Sequence, residues 1–130
     1  MKHLIATAVI ALGLVVAGSL LFCGCKPSTV KLTQGYRLER FQENGKYYVV
    51  TPEDLSGGGV FDGTVELIGW NHDWILARVT RLYHGDTNGW YALDVKTKQV
   101  IGPVQESELR KNAAWSKIDC HESGQVFLRK

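Results

Sequence analysis

Between Thr64 and Ile101 polar and apolar residues alternate in four short runs separated by turn-forming residues. Thr64–Trp70 places Val65 and Leu67 on one face, and Asn71-His72-Asp73 turns the chain. Trp74–Tyr83 follows with Ile75, Ala77 and Val79 on one face and Arg78 and Thr80 on the other. After the polar turn His84–Gly89, Trp90–Val95 directs Tyr91, Leu93 and Val95 one way and Asp94 the other; Lys96-Thr97-Lys98 then turns into Gln99–Ile101. Period-two alternation with regular turns predicts an antiparallel meander. An apolar face backed by a mixed one fits a sheet wetted on one side.

Upstream, Tyr36–Phe41 and Lys46–Pro52 read as a hairpin around Glu43-Asn44-Gly45, because Asn-Gly tolerates positive φ. Gly102-Pro103 is expected to end the meander, since proline cannot donate to a ladder. Val104–Trp115 has a helical pattern: Leu109, Ala113 and Trp115 face the sheet, and its acidic residues precede its basic ones, as the helix dipole favours. Gln125–Leu128 reads as a final edge strand. The expected fold class is therefore β-rich α+β, an antiparallel meander sheet with one short helix in the C-terminal half.

The N-terminus follows a different pattern. Leu4–Cys23 carries no charge over 20 residues, behind Met1-Lys2-His3. As a helix such a run would extend about 30 Å, enough to cross a bilayer. The hydrophobic content of 45% thus averages two unlike parts. Residues 1–24 hold 17 apolar residues, and the other 106 residues carry 14 basic and 13 acidic side chains. That near-neutral remainder suits one small domain and offers no basic stripe for nucleic acid.

Phe22-Cys23-Gly24-Cys25 resembles the lipobox of bacterial lipoproteins, in which a hydrophobic residue and two small ones precede the acceptor cysteine. The resemblance implies a signal peptide over 1–24, cleavage after Gly24, and acyl chains, palmitate among them, on Cys25. It also implies a lipid anchor in the cell-envelope membrane, with the domain outside the cytoplasm. Multiple chains anchor stably where one binds only marginally. Lys26 stands where the family's inner-membrane retention signal has Asp, so the outer membrane is favoured in a two-membrane cell. The alternative is that residues 4–23 stay as a transmembrane anchor. On the lipoprotein reading residues 25–35 form the lipidated cysteine and a polar tether, and 36–130 a single globular domain.

Once Cys25 is acylated, Cys120 is the remaining thiol of the mature chain, so no intrachain disulfide is expected. His121 is adjacent, but neighbouring side chains diverge in both strand and helix, which works against a cysteine–histidine pair. His72 and His84 occupy turns at opposite ends of one strand, too far apart to share a metal, so no metal or other cofactor is expected. Ser56-Gly57-Gly58-Gly59 lacks the Lys and Ser/Thr of a phosphate loop and reads as a mobile loop. No Gly-x-Ser-x-Gly elbow is present.

The aromatic supply is generous: Trp70, Trp74, Trp90 and Trp115 with five tyrosines. Trp90 and Tyr91 point to opposite faces of one strand, as do Trp74 and Ile75, so one of each pair lies away from the main core. Either the helix or a loop covers that second face, or it is a binding surface in which Trp74, Arg78, Arg81 and Trp90 meet a protein or cell-wall partner. The leading expectation is a non-enzymatic binding domain. The alternatives are a small envelope hydrolase using Cys120 or His and Asp turn residues, and a structural subunit of an envelope assembly. The stretch WILARV, then GWYALDVKTKQVIGPV and a short acidic helix, also resembles small bacterial envelope proteins, a likeness that carries no catalytic residue.

Overall fold

A computed structural model describes residues 28–53, 59–81 and 87–129. The lipobox, the tether up to Pro27, most of the Ser56–Gly59 loop and His84 lie outside these residues. Two antiparallel sheets form. The first is β1 (Thr29–Lys31), β2 (Arg37–Arg40) and β3 (Tyr47–Val50), in that order. The second contains β4 (Thr64–Trp70), β5 (Trp74–Thr80), β6 (Gly89–Asp94), β7 (Val100–Val104) and β8 (His121–Glu122), in the order β7-β6-β5-β4-β8. Two six-residue helices, α1 (Glu106–Lys111) and α2 (Ser123–Leu128), complete the described elements. The β-rich α+β class and the meander β4 to β7 are as the alternation predicts.

The turn chemistry explains the short connections. Gly45 has φ 67°, and the Asn44 side chain accepts from the Lys46 amide at 2.9 Å, closing the β2–β3 hairpin. The Asn71 side chain accepts from the amides of Asp73 and Trp74 at 2.9 and 2.8 Å, closing β4–β5. Asp94 does the same for Lys96 and Thr97 between β6 and β7.

Both faces of the larger sheet are buried. One packs Val65, Ile68, Ile75, Ala77, Val79, Tyr91 and Leu93 against Leu38 and Val49 of the small sheet, with Val126 of α2. The other packs Leu76, Trp90 and Ala92 beneath Leu109 of α1 and Trp115 of the segment that follows it. That segment crosses the sheet at Gly69, where a Cβ would stand 2.5 Å from the Asp119 carbonyl oxygen and 2.7 Å from the Cys120 sulfur. The cover over the second sheet face therefore needs glycine at this position.

Five expectations are corrected. Thr29–Lys31, expected within a polar tether to residue 35, is strand paired with β2. Val65 and Leu67 lie in opposite cores because the β4–β5 register shifts between them. β7 runs through Gly102-Pro103 to Val104; it is the sheet's edge strand, where a missing donor is tolerated. The helix stops at Lys111, so Ala113 is exposed, while Trp115 still reaches the sheet from a turn. The C-terminal segment is helical: Ser123, Val126 and Phe127, spaced i, i+3, i+4, all turn inward.

Candidate functional site

The register shift in β4 leaves Glu66 as the extra residue of a β-bulge opposite Arg78 and Val79. A bulge re-aims a side chain and disrupts the ladder beside it. Here it sends Glu66 to the same face as Arg78 and Thr80. Glu66 Oε2 accepts from Arg78 Nη2 at 3.0 Å and Nε at 3.2 Å, and Oε1 accepts from the Thr80 hydroxyl at 2.6 Å. The Thr80 bond, followed by the Arg78 bond and charge, holds the Glu66 carboxyl below its ordinary pKa against an opposing desolvation. The buried Ser123 hydroxyl donates to the Val65 carbonyl at 2.7 Å, satisfying a backbone acceptor at the disrupted ladder.

Glu66 and Arg78 border a cleft of about 320 Å³ between the two sheets, and Thr80 braces Glu66 from outside its lining. Lys46 and Tyr47 of the hairpin form one wall, and Thr64–Leu67, Arg78 and Glu122 to Gly124 form the other. Two cationic and two anionic side chains thus line one concavity: Lys46 and Arg78, Glu66 and Glu122. Such a lining can hold a group that presents both donors and acceptors.

The four residues expected to share a binding face are separated. Trp90 is directly across from Arg78 in the β5–β6 ladder, but it is 7% exposed beneath the α1 layer. Trp74 is half-buried and meets Trp115 edge to face at 5.4 Å. Arg81 is turned toward the start of β4, donating to the Asp62 carboxylate and, at 3.1 Å, to the Asp62 carbonyl. Arg78 alone of the four lies on the cleft, with 48% of its side chain exposed. The four tryptophans are core material for a sheet packed on both faces. Glu66, Thr80, Lys46 and Glu122 were not singled out by sequence reasoning; the outward Arg78 in an apolar strand was the visible sign of the cluster.

The nucleophile candidates are placed differently. Burial, with a smaller contribution from the Asp119 charge, pushes the Cys120 thiol up to about 11, so it is protonated at neutral pH. His121 turns to Arg129, with its Nδ1 3.2 Å from Nη2. Ser28 and Lys31 have the Ser-x-x-Lys spacing that works on a helix, but Ser28 directly precedes strand β1, which contains Lys31, so the two share no helical turn. His72 lies in a second cleft of about 220 Å³ with Gln34, Asp73, Val95 and Lys96. Its ring nitrogens are 2.8 Å from Gln34 Nε2 and 3.3 Å from Asp73 Oδ1, so Gln34 and Asp73 orient the imidazole, and no hydroxyl or thiol adjoins it among these lining residues. No group of three or more metal-ligating side chains occurs among the described residues.

No protein-family model, curated protein or solved structure matches this chain. The fold and site define a class, a small β-rich α+β domain with a charged inter-sheet cleft. Among the described residues no helix is long and apolar enough to cross a membrane.

Proposed function

We propose that the chain is a lipid-anchored cell-envelope protein, attached through Cys25, whose globular part is a non-enzymatic binding domain for a protein or cell-wall component. The observation that carries the binding reading is the bulge-held Glu66–Arg78 pair on an open cleft, with Thr80 bonded to Glu66 behind it. Ion pairs and hydrogen bonds preorganise these polar groups, whereas the Cys120 thiol is protonated at neutral pH. Attachment rests on the lipobox-like Phe22-Cys23-Gly24-Cys25 behind an uncharged 20-residue run. The outer membrane is the favoured site where a cell has two.

The test is site-specific photo-crosslinking in intact cells. A photoreactive residue replacing Glu122, exposed on the cleft rim, is expected to give a discrete adduct that Arg78→Ala suppresses. Replacing exposed Lys96, on the other cleft, serves as the control. Equal labelling at both positions, insensitive to Arg78→Ala, would sink the cleft as the binding site.

A further inference from the structure

The chain enters the described domain at a fixed place. The Ser28 carbonyl accepts from the Arg40 amide at 2.9 Å, and Thr29 pairs with Glu39. Residue 28 therefore lies at the end of the small sheet that carries the β2–β3 hairpin turn. Cys25 is three residues upstream, and a chain extends at most about 3.6 Å per residue, so Cys25 lies within roughly 11 Å of Ser28. With the membrane attachment proposed above, on which this inference rests, that reach brings the hairpin end to the bilayer surface. A tether running to residue 35 would have allowed a longer reach; strand β1 shortens the link to the residues before Thr29.

The side chains at this end suit such a surface. Phe41 and Tyr48 are both half-buried, with ring centroids 4.6 Å apart. Arg40 is exposed and Lys46 half-exposed, and neither has an ion-pair partner among the described residues. The acid nearest in the strand, Glu39, is held by Arg37 at 3.3 Å, which leaves Glu43 as the unpaired acid of the turn. Aromatic rings settle at the headgroup level of a bilayer, and lysine and arginine are drawn to anionic lipids. The opposite end of the strands presents Gln34, His72, Asp73 and Lys96, where the lysine shares its cleft with an exposed acid.

We propose that Arg40, Phe41, Lys46 and Tyr48 form a membrane-docking surface for a layer of anionic lipid headgroups. Lys46 belongs to this surface and to the cleft wall, so docking sets the cleft beside the bilayer, where it would meet partners near the membrane surface.

The test uses the full chain in vesicles of phosphatidylethanolamine and phosphatidylglycerol that carry a nitroxide-labelled lipid. Gln42→Cys and Lys96→Cys, each with Cys120→Ala, take a fluorescent probe at the hairpin and at the opposite end. The probe at 42 is expected to be quenched about threefold more than the probe at 96. Arg40→Glu with Lys46→Glu should bring the two toward parity, as should neutral phosphatidylcholine vesicles. Equal quenching in a chain that floats with anionic vesicles would overturn the docking surface and leave attachment standing. A preference that persists in neutral vesicles would overturn its anionic character. A chain that does not float with the vesicles at all would overturn the attachment itself.

Discussion

Glu66 and Arg78 face one another across a β-bulge, 3.0 Å apart, on the lining of the cleft that Lys46 and Tyr47 close from the other side. The bulge costs ladder regularity. It gains a carboxylate positioned by two donors from the neighbouring strand.

That geometry has a pH signature. Because the native Glu66 pKa is lowered, the group's contribution is fully present above the ordinary glutamate value of about 4.3 and is lost as pH falls through the lowered native value. Both partners are almost half exposed, so the size is that of a surface pair, under about 1 kcal/mol. Urea unfolding of Glu66→Gln and the parent should therefore differ by a few tenths of a kcal/mol at pH 7 and converge in acid below both values.

Trp115 closes the second core, and its indole N–H is buried with no hydrogen-bond partner among the described residues. Trp115→Ala should cost about 3–5 kcal/mol through cavity formation. Trp115→Phe should cost much less, because it removes an unsatisfied donor, worth about 1–3 kcal/mol when stranded, along with part of the ring. Thermal melts of the two variants check the order. Trp90→Ala belongs with the first, so it reports on stability and is unsuited to mapping a binding face.

Cys120 provides a second pH prediction. With its thiol raised to about 11, alkylation in the folded chain at pH 8 should be about a hundredfold slower than that of a free thiol and should recover on denaturation. A raised native pKa favours the folded state up to the unfolded value of about 8.5, and that contribution is lost as pH climbs toward the native value. Stability should accordingly decline across that alkaline window, and Cys120→Ala should flatten the decline. Rapid labelling of the folded chain at neutral pH would instead favour a reactive cysteine.

The legible parts of the fold were those governed by local rules. Val79, Ala77 and Ile75 alternate without interruption, and Asn71, Asp94 and Asn44-Gly45 close turns through side chains only two or three residues from their targets. What the alternation could not reveal was its own interruption: nothing in Val65-Glu66-Leu67 marks Glu66 as surplus, because the bulge is decided by Arg78 and Ser123 from elsewhere in the chain. Ser123–Leu128 is only six residues, too short for a period to declare itself, and its helix depends on Val126 and Phe127 finding the inter-sheet core. Pro103 is compatible with a strand only because β7 is an edge. For the site, Arg78 was visible as an outward charge in an apolar strand. Its partner Glu66 was hidden by the same bulge, and the aromatic residues expected beside it were needed by a second core.

Intact mass of the purified membrane fraction tests the proposed attachment through Cys25. The expected species begins at Cys25 and carries two or three acyl chains on that residue. A mass equal to the unmodified 130-residue chain would contradict it.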